Sequence, residues 1–223
     1  MKNEYVDRKI KYSKSRKYSR FNPAYLFAMQ QREKNIISIL KKKGLASLAD
    51  QSVLEVGCGS GGVLLEFLVN EAQPKKLFGF DILFDRLGNA HHRLPNSIIL
   101  NADGQKIPFI SRNFDLVVQY TAFSSILDFK IKQNIALEMI RVLKPGGLIL
   151  WYDFWFNPIN KQTKGILPKE IKYLFPACNY KFKKITLAPP IAEKVVPFSW
   201  GIAYFLEKIK IFNTHYIAII EPK

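Results

Sequence analysis

The sequence predicts an α/β fold with a mostly parallel sheet and helices on both faces. Three observations predict it. Short apolar runs alternate with segments of helical period across residues 52–152. A glycine-rich turn, Gly57-Cys58-Gly59-Ser60-Gly61-Gly62, joins the first apolar run to the first of these helical segments. Acidic residues close the first three runs, at Glu55, Asp81 and Asp103.

Taken in order, residues 1–19 are basic and aperiodic, so they are expected to be mobile or to order only with a partner. Asn22 is a plausible N-cap with Pro23 at the first helical position. Residues 24–43 then read as one or two helices. Strands are expected at 53–56, 77–81, 97–103, 114–120 and 148–152, with a helix at 63–69 and a turn at 143–147 before the fifth strand. Residues 170–175 read as a helix, 180–187 as the sixth strand and 215–220 as the last. Residues 188–213 form an apolar, aromatic insertion before that last strand.

The glycine turn has two readings. Gly57, Gly59 and Gly62 satisfy G-x-G-x-x-G, the dinucleotide fingerprint. Glu55, Gly57, Gly59 and Gly61 satisfy E-x-G-x-G-x-G. A pyrophosphate over the loop would be repelled by a carboxylate two residues before the first glycine. A ligand with ammonium and sulfonium groups and no phosphate would be attracted. Asp81 lies at the spacing of a carboxylate that hydrogen-bonds ribose hydroxyls, which both kinds of ligand contain.

In these elements the chain resembles the class I S-adenosylmethionine (SAM) methyltransferases, and its general style resembles their small-molecule members. The resemblance covers residues 52–152 well and the flanks poorly. It rests on Glu55 to Gly61, Asp81, Asp103 with Gly104, the fourth strand and the Leu143-Lys144-Pro145-Gly146-Gly147 turn. It implies a Rossmann-like seven-stranded sheet with an antiparallel last strand. SAM is the implied cofactor, held by Glu55, Gly57, Cys58, Gly59, Gly61, Asp81, Ile82, Asp103, Gly104 and Gln119. Asp103 is the implied adenine contact, and helices leading the domain are implied to lie over the site's mouth. Tyr120 and Asp153, at strand ends, are the candidate bases if the acceptor is a hydroxyl. Tyr25, Tyr152 and Trp155 are candidate acceptor contacts, within an aromatic stretch from Trp151 to Phe156 to which Asn157 adds a polar group. His91, His92 and His215 read as structural or solvated. No residue spacing suggests a metal site.

The organisation expected is a basic tail and cap helices over 1–43 and a methyltransferase domain over 44–223, with 188–213 as a lid-like insertion. Charge follows that division. Residues 1–43 carry 13 Lys/Arg against 3 Asp/Glu, residues 44–150 carry 10 of each, and residues 151–223 carry 11 against 5. A neutral core with basic flanks points to an anionic partner: a charged acceptor, an anionic membrane surface or RNA. No run is long enough to span a bilayer, the N-terminus lacks a signal-peptide core, and the two cysteines form no disulfide framework. The expected location is cytoplasmic, with peripheral contact at the membrane's inner face. The place where amino-methyltransferases of bases carry [Asn/Asp]-Pro-Pro-aromatic reads Gln119-Tyr120-Thr121-Ala122-Phe123, and no cysteine follows the fourth or fifth strand at a nucleophile's position. A small-molecule, lipid-linked or glycan acceptor, methylated at oxygen, therefore leads. An RNA methyltransferase and a non-catalytic SAM-binding module are the alternatives.

Overall fold

The computed structural model describes residues 16–156 and 163–223. Most of the basic tail, and Asn157, lie outside the described residues. The strands are β1 Val53–Val56, β2 Leu77–Asp81, β3 Ile98–Asn101, β4 Phe114–Tyr120, β5 Leu143–Phe154, β6 Cys178–Leu187 and β7 Asn213–Pro222. The helices are α1 Pro23–Lys42, α2 Gly62–Val69, α3 Phe84–Arg93, α4 Phe129–Val142, α5 Pro168–Leu174, α6 Pro189–Val195 and α7 Trp200–Ile209. All seven strands lie in one sheet, in the order β3-β2-β1-β4-β5-β7-β6. Neighbours among β1 to β5 are parallel, and β7 runs antiparallel to β5. This is the Rossmann-like architecture that the sequence implies.

The described chain divides into two compact units. The larger comprises Gly44–Lys183 with His215–Lys223. Every residue of β1 is buried, as expected for a parallel strand covered on both faces. Leu54, Val117, Ile149 and Trp151 share a core with Ile135 and Met139 of α4 and Ile171 of α5. Trp151 is wholly buried there, 4.4 Å from the Phe123 ring. Strand alternation thus removes Trp151 from the aromatic stretch expected to meet an acceptor.

One ion pair fastens two helices of this unit. Lys132, with 2% of its side chain exposed, donates to Glu170 at 2.6 Å, joining α4 to α5. Lys132→Ala leaves a shielded carboxylate without its cation and should cost about 2–3 kcal/mol. A melting temperature roughly 5–10 °C lower is the expected readout by calorimetry. The double variant Lys132→Met/Glu170→Leu, which removes both charges, should recover most of the loss.

β5 begins earlier than expected. The 143–147 turn is part of the strand: Phe114 pairs with Leu143, and pairing resumes at Leu116 with Leu148. The chain therefore bulges opposite Asp115, whose carboxylate binds Lys144 at 2.8 Å.

The smaller unit comprises the described residues before Gly44 together with Lys184–Thr214. Residues 23–42 form one helix, and Asn22 caps it by accepting the Ala24 N–H at 3.0 Å, with Pro23 following. The 188–213 segment holds α6 and α7. Ala24 and Phe27 of α1 share a small core with Leu187, Ala192, Val196 and Ala203. The sequence reading keeps 1–43 and 188–213 apart because periodicity shows that each has an apolar face, not that the faces meet. Among the described residues, no helix is long and apolar enough to cross a membrane.

Candidate active site

β1 has β2 on one side and β4 on the other, so strand order reverses there. A crevice beyond the C-terminal ends of such strands is where open α/β sheets bind ligands. The glycine loop lies at that place. Gly57 and Cys58 both donate their N–H to the Phe80 carbonyl, at 3.0 and 2.9 Å. Gly57 and Gly59 have φ of +75° and +52°, which side-chain-bearing residues rarely adopt. A Cβ on Gly57 would stand 2.8 Å from the Cβ of Ala122, in the turn after β4. The loop and that turn therefore close on each other. The Arg86 guanidinium of α3 lies against Gly59.

Asp81 fastens the loop. Its Oδ2 accepts the Gly59 N–H and its Oδ1 the Leu83 N–H, each at 2.8 Å, and the residue is buried. Glu55 is 2% exposed. It accepts a hydrogen bond from the Leu64 N–H, while Oε2 is buried without a partner. Burial pushes its carboxyl well above the usual range, and the Glu66 and Asp81 carboxylates push it further, against Arg86. A buried carboxylate with an idle oxygen at the glycine loop is set to receive a cationic hydrogen-bond donor.

Cys58 is buried beside Gly79, and burial raises its thiol, with Glu55 and Asp81 adding to the rise. Ile82, 65% exposed, presents an apolar surface just beyond β2. Asp103 is exposed and caps the turn that begins at the buried Gly104, accepting the Gln105 N–H at 2.9 Å.

Gln119 and Asp153 form the floor beneath the β4–β5 edge, and both are fully buried. Gln119 Oε1 accepts the Ala122 and Phe123 N–H groups at 3.1 and 3.4 Å. Asp153 accepts the Ser124 N–H at 3.2 Å and the Phe154 N–H at 2.9 Å. Burial lifts the Asp153 carboxyl to about 7, against the pull of hydrogen bonds from Ser124, Phe154 and Gln119. Both side chains thus hold the turn in which Thr121 takes φ +55°.

At the same edge is an aromatic stack. Tyr120 and Tyr152 lie 5.4 Å apart, and His215 stacks on Tyr152 at 5.0 Å with the rings 9° from parallel. Phe154 meets His215 edge-on at 5.8 Å. His215 arrives through the antiparallel register, opposite Phe154. The sequence reading set it aside, since no local pattern links residues so far apart. Ala122 and Arg86 were also missed, and no signal in the sequence marks them. Trp155 follows β5, beside Phe156 at 5.7 Å. Tyr25 lies on α1 in the smaller unit, 5.8 Å from Tyr18.

Comparison with known proteins agrees with this geometry. A family model described as a methyltransferase domain matches residues 53–147. Phthiotriol/phenolphthiotriol dimycocerosates methyltransferase 1 of Mycobacterium ulcerans is 32% identical over 110 residues, covering 48% of this chain and 38% of that protein. The fatty-acid O-methyltransferase of Mycolicibacterium smegmatis is 32% identical over 126 residues, covering 54% and 44%. The chain thus spans less than half the length of these relatives. A SAM-dependent methyltransferase from Archaeoglobus fulgidus superposes with a TM-score of 0.60 at 16% identity, over 89% of this chain and 99% of that one, and so shares the fold. Residues 53–147 thus match a methyltransferase domain, and the chain has the fold of a SAM-dependent methyltransferase.

Proposed function

We propose that this chain is an enzyme that transfers a methyl group from SAM to a small apolar or lipid-linked acceptor, at oxygen. The observation that carries the reading is Glu55, buried under the glycine loop at the switch point with one oxygen unpartnered. That carboxylate opposes a pyrophosphate and suits a cationic ligand without phosphates. The residues present fit SAM. Glu55 would receive the ammonium of its amino-acid end, Asp81 its ribose, and Ile82 with Asp103 its adenine. Bound there, SAM supplies a methyl already activated by sulfonium charge.

What remains for the chain is to place the acceptor and take its proton. Tyr120 and Tyr152 offer an apolar wall with polar tips, while Trp155 packs toward the core that holds Trp151. An acceptor hydroxyl that gains a methyl must give up its proton, and His215 and Tyr120 are the groups in the aromatic stack that can take it. Asp153, with both oxygens engaged beneath the surface, serves here as a positioning residue. An apolar acceptor agrees with the two relatives whose names specify lipids. Cys58 and Cys178, both buried and unbridged, suit a reducing, cytoplasmic setting.

His215→Phe keeps an aromatic ring on Tyr152 but cannot accept a proton. With a long-chain alcohol as methyl acceptor, it should lower turnover roughly 100-fold. Affinity for S-adenosylhomocysteine should be kept in this variant. Unchanged turnover would remove His215 from the proton path.

A further inference from the structure

We propose that α7 and its flanks form a docking face for an anionic lipid bilayer. This inference stands on the smaller unit alone and holds whatever acceptor the enzyme uses.

The helix is apolar on both faces, with Leu206 and Tyr204 packed on the small core. Its inward face carries Ala203 and the charged Glu207, both buried, and Glu207 accepts the Thr186 N–H at 2.9 Å. Its outward face carries Ile202, Phe205 and Ile209, which are 57%, 64% and 40% exposed. Steps of three and four residues put these on one stripe. The segments on either side of the helix add Phe198, 90% exposed, and Ile211, 73% exposed. Soluble surfaces seldom keep so many large apolar side chains together in water, and such patches mark a partner.

Charge selects that partner. Lys194, Lys208 and Lys210 lie on and around the helix. Lys208 reaches over Tyr204, with its ammonium 4.8 Å from the ring, at the border of the apolar stripe. Exposed apolar residues bordered by lysines match a bilayer interface, where rings and branched chains enter the acyl boundary and ammonium groups meet phosphates. A second copy of this chain would set the same lysines against each other, whereas anionic lipid neutralises them. At about 1.5 Å per residue the ten-residue helix is roughly 15 Å long, half the thickness of a hydrocarbon core. It lies in the interface plane and does not cross.

The test is flotation of the full chain with vesicles of phosphatidylcholine alone and of phosphatidylcholine mixed with phosphatidylglycerol. The wild type should bind the mixed vesicles and bind neutral ones far more weakly. Ile202→Ser/Phe205→Ser should reduce partitioning roughly tenfold or more, since both side chains already face water and the fold does not need them. Lys208→Gln/Lys210→Gln should remove the preference for anionic vesicles. Circular dichroism and S-adenosylhomocysteine binding, unchanged in both variants, confirm that each is folded. Mixed-vesicle binding that survives Ile202→Ser/Phe205→Ser overturns the proposal. So does an absence of vesicle binding, including the case of a wild-type dimer by analytical ultracentrifugation that the same variant dissociates.

Discussion

Asp81→Ala should release the glycine loop and abolish measurable cofactor binding. Its carboxylate accepts two backbone N–H groups, from Gly59 and Leu83, in a buried place. Alanine leaves both without a partner, and each deserted donor costs about 1–3 kcal/mol. For a chain of this size that is a melting temperature lower by roughly 5–15 °C in differential scanning calorimetry. Binding suffers twice, through the loosened loop and through the lost acceptor for a ribose. Asp81→Asn keeps one oxygen acceptor and should lose about half as much stability.

Glu55→Gln should have opposite effects on stability and binding. The ligand-free protein becomes more stable, because a carboxylate held by burial well above its usual range is replaced by a neutral amide. The sign follows from proton linkage. A raised folded-state pKa means the folded protein keeps a proton that the unfolded chain has released. Wild-type stability therefore falls as pH rises from the ordinary carboxylate range through the folded value. The gain from Gln is absent below that window and full above it. Affinity for a cationic ligand changes the other way. It should rise with pH across the same window in the wild type, and be roughly 10–100-fold weaker and pH-independent in Glu55→Gln. Equal melting curves at low and neutral pH for the two proteins would remove the buried charge from the account.

The parts of the site legible in the sequence are those set by local rules. Strand β1, its glycine turn and the helix that follows are contiguous, so apolar period and left-handed glycines give them away together. Asp81 and Asp103 mark strand ends of parallel neighbours, where topology repeats the same geometry. The parts that stay hidden depend on pairing across the sheet. The sequence names Gln119 and Asp153 as candidates, but only the register of β4 on β5 decides that they and Trp151 turn inward. His215 joins Tyr152 because β7 runs antiparallel to β5. In α7 nearly every residue is apolar, so periodicity cannot tell which face the small core takes. The buried Glu207 marks the inward face, against the usual expectation for a charge.

The central claim is that Glu55 makes this glycine loop a seat for SAM and not for a dinucleotide. Isothermal titration of the full chain with S-adenosylhomocysteine and, separately, with NAD tests it most directly. The account predicts saturable one-to-one binding of S-adenosylhomocysteine, weakened roughly 10–100-fold by Glu55→Gln, and no heat with NAD. Binding of NAD, or silence with S-adenosylhomocysteine from a folded wild-type protein, would contradict it.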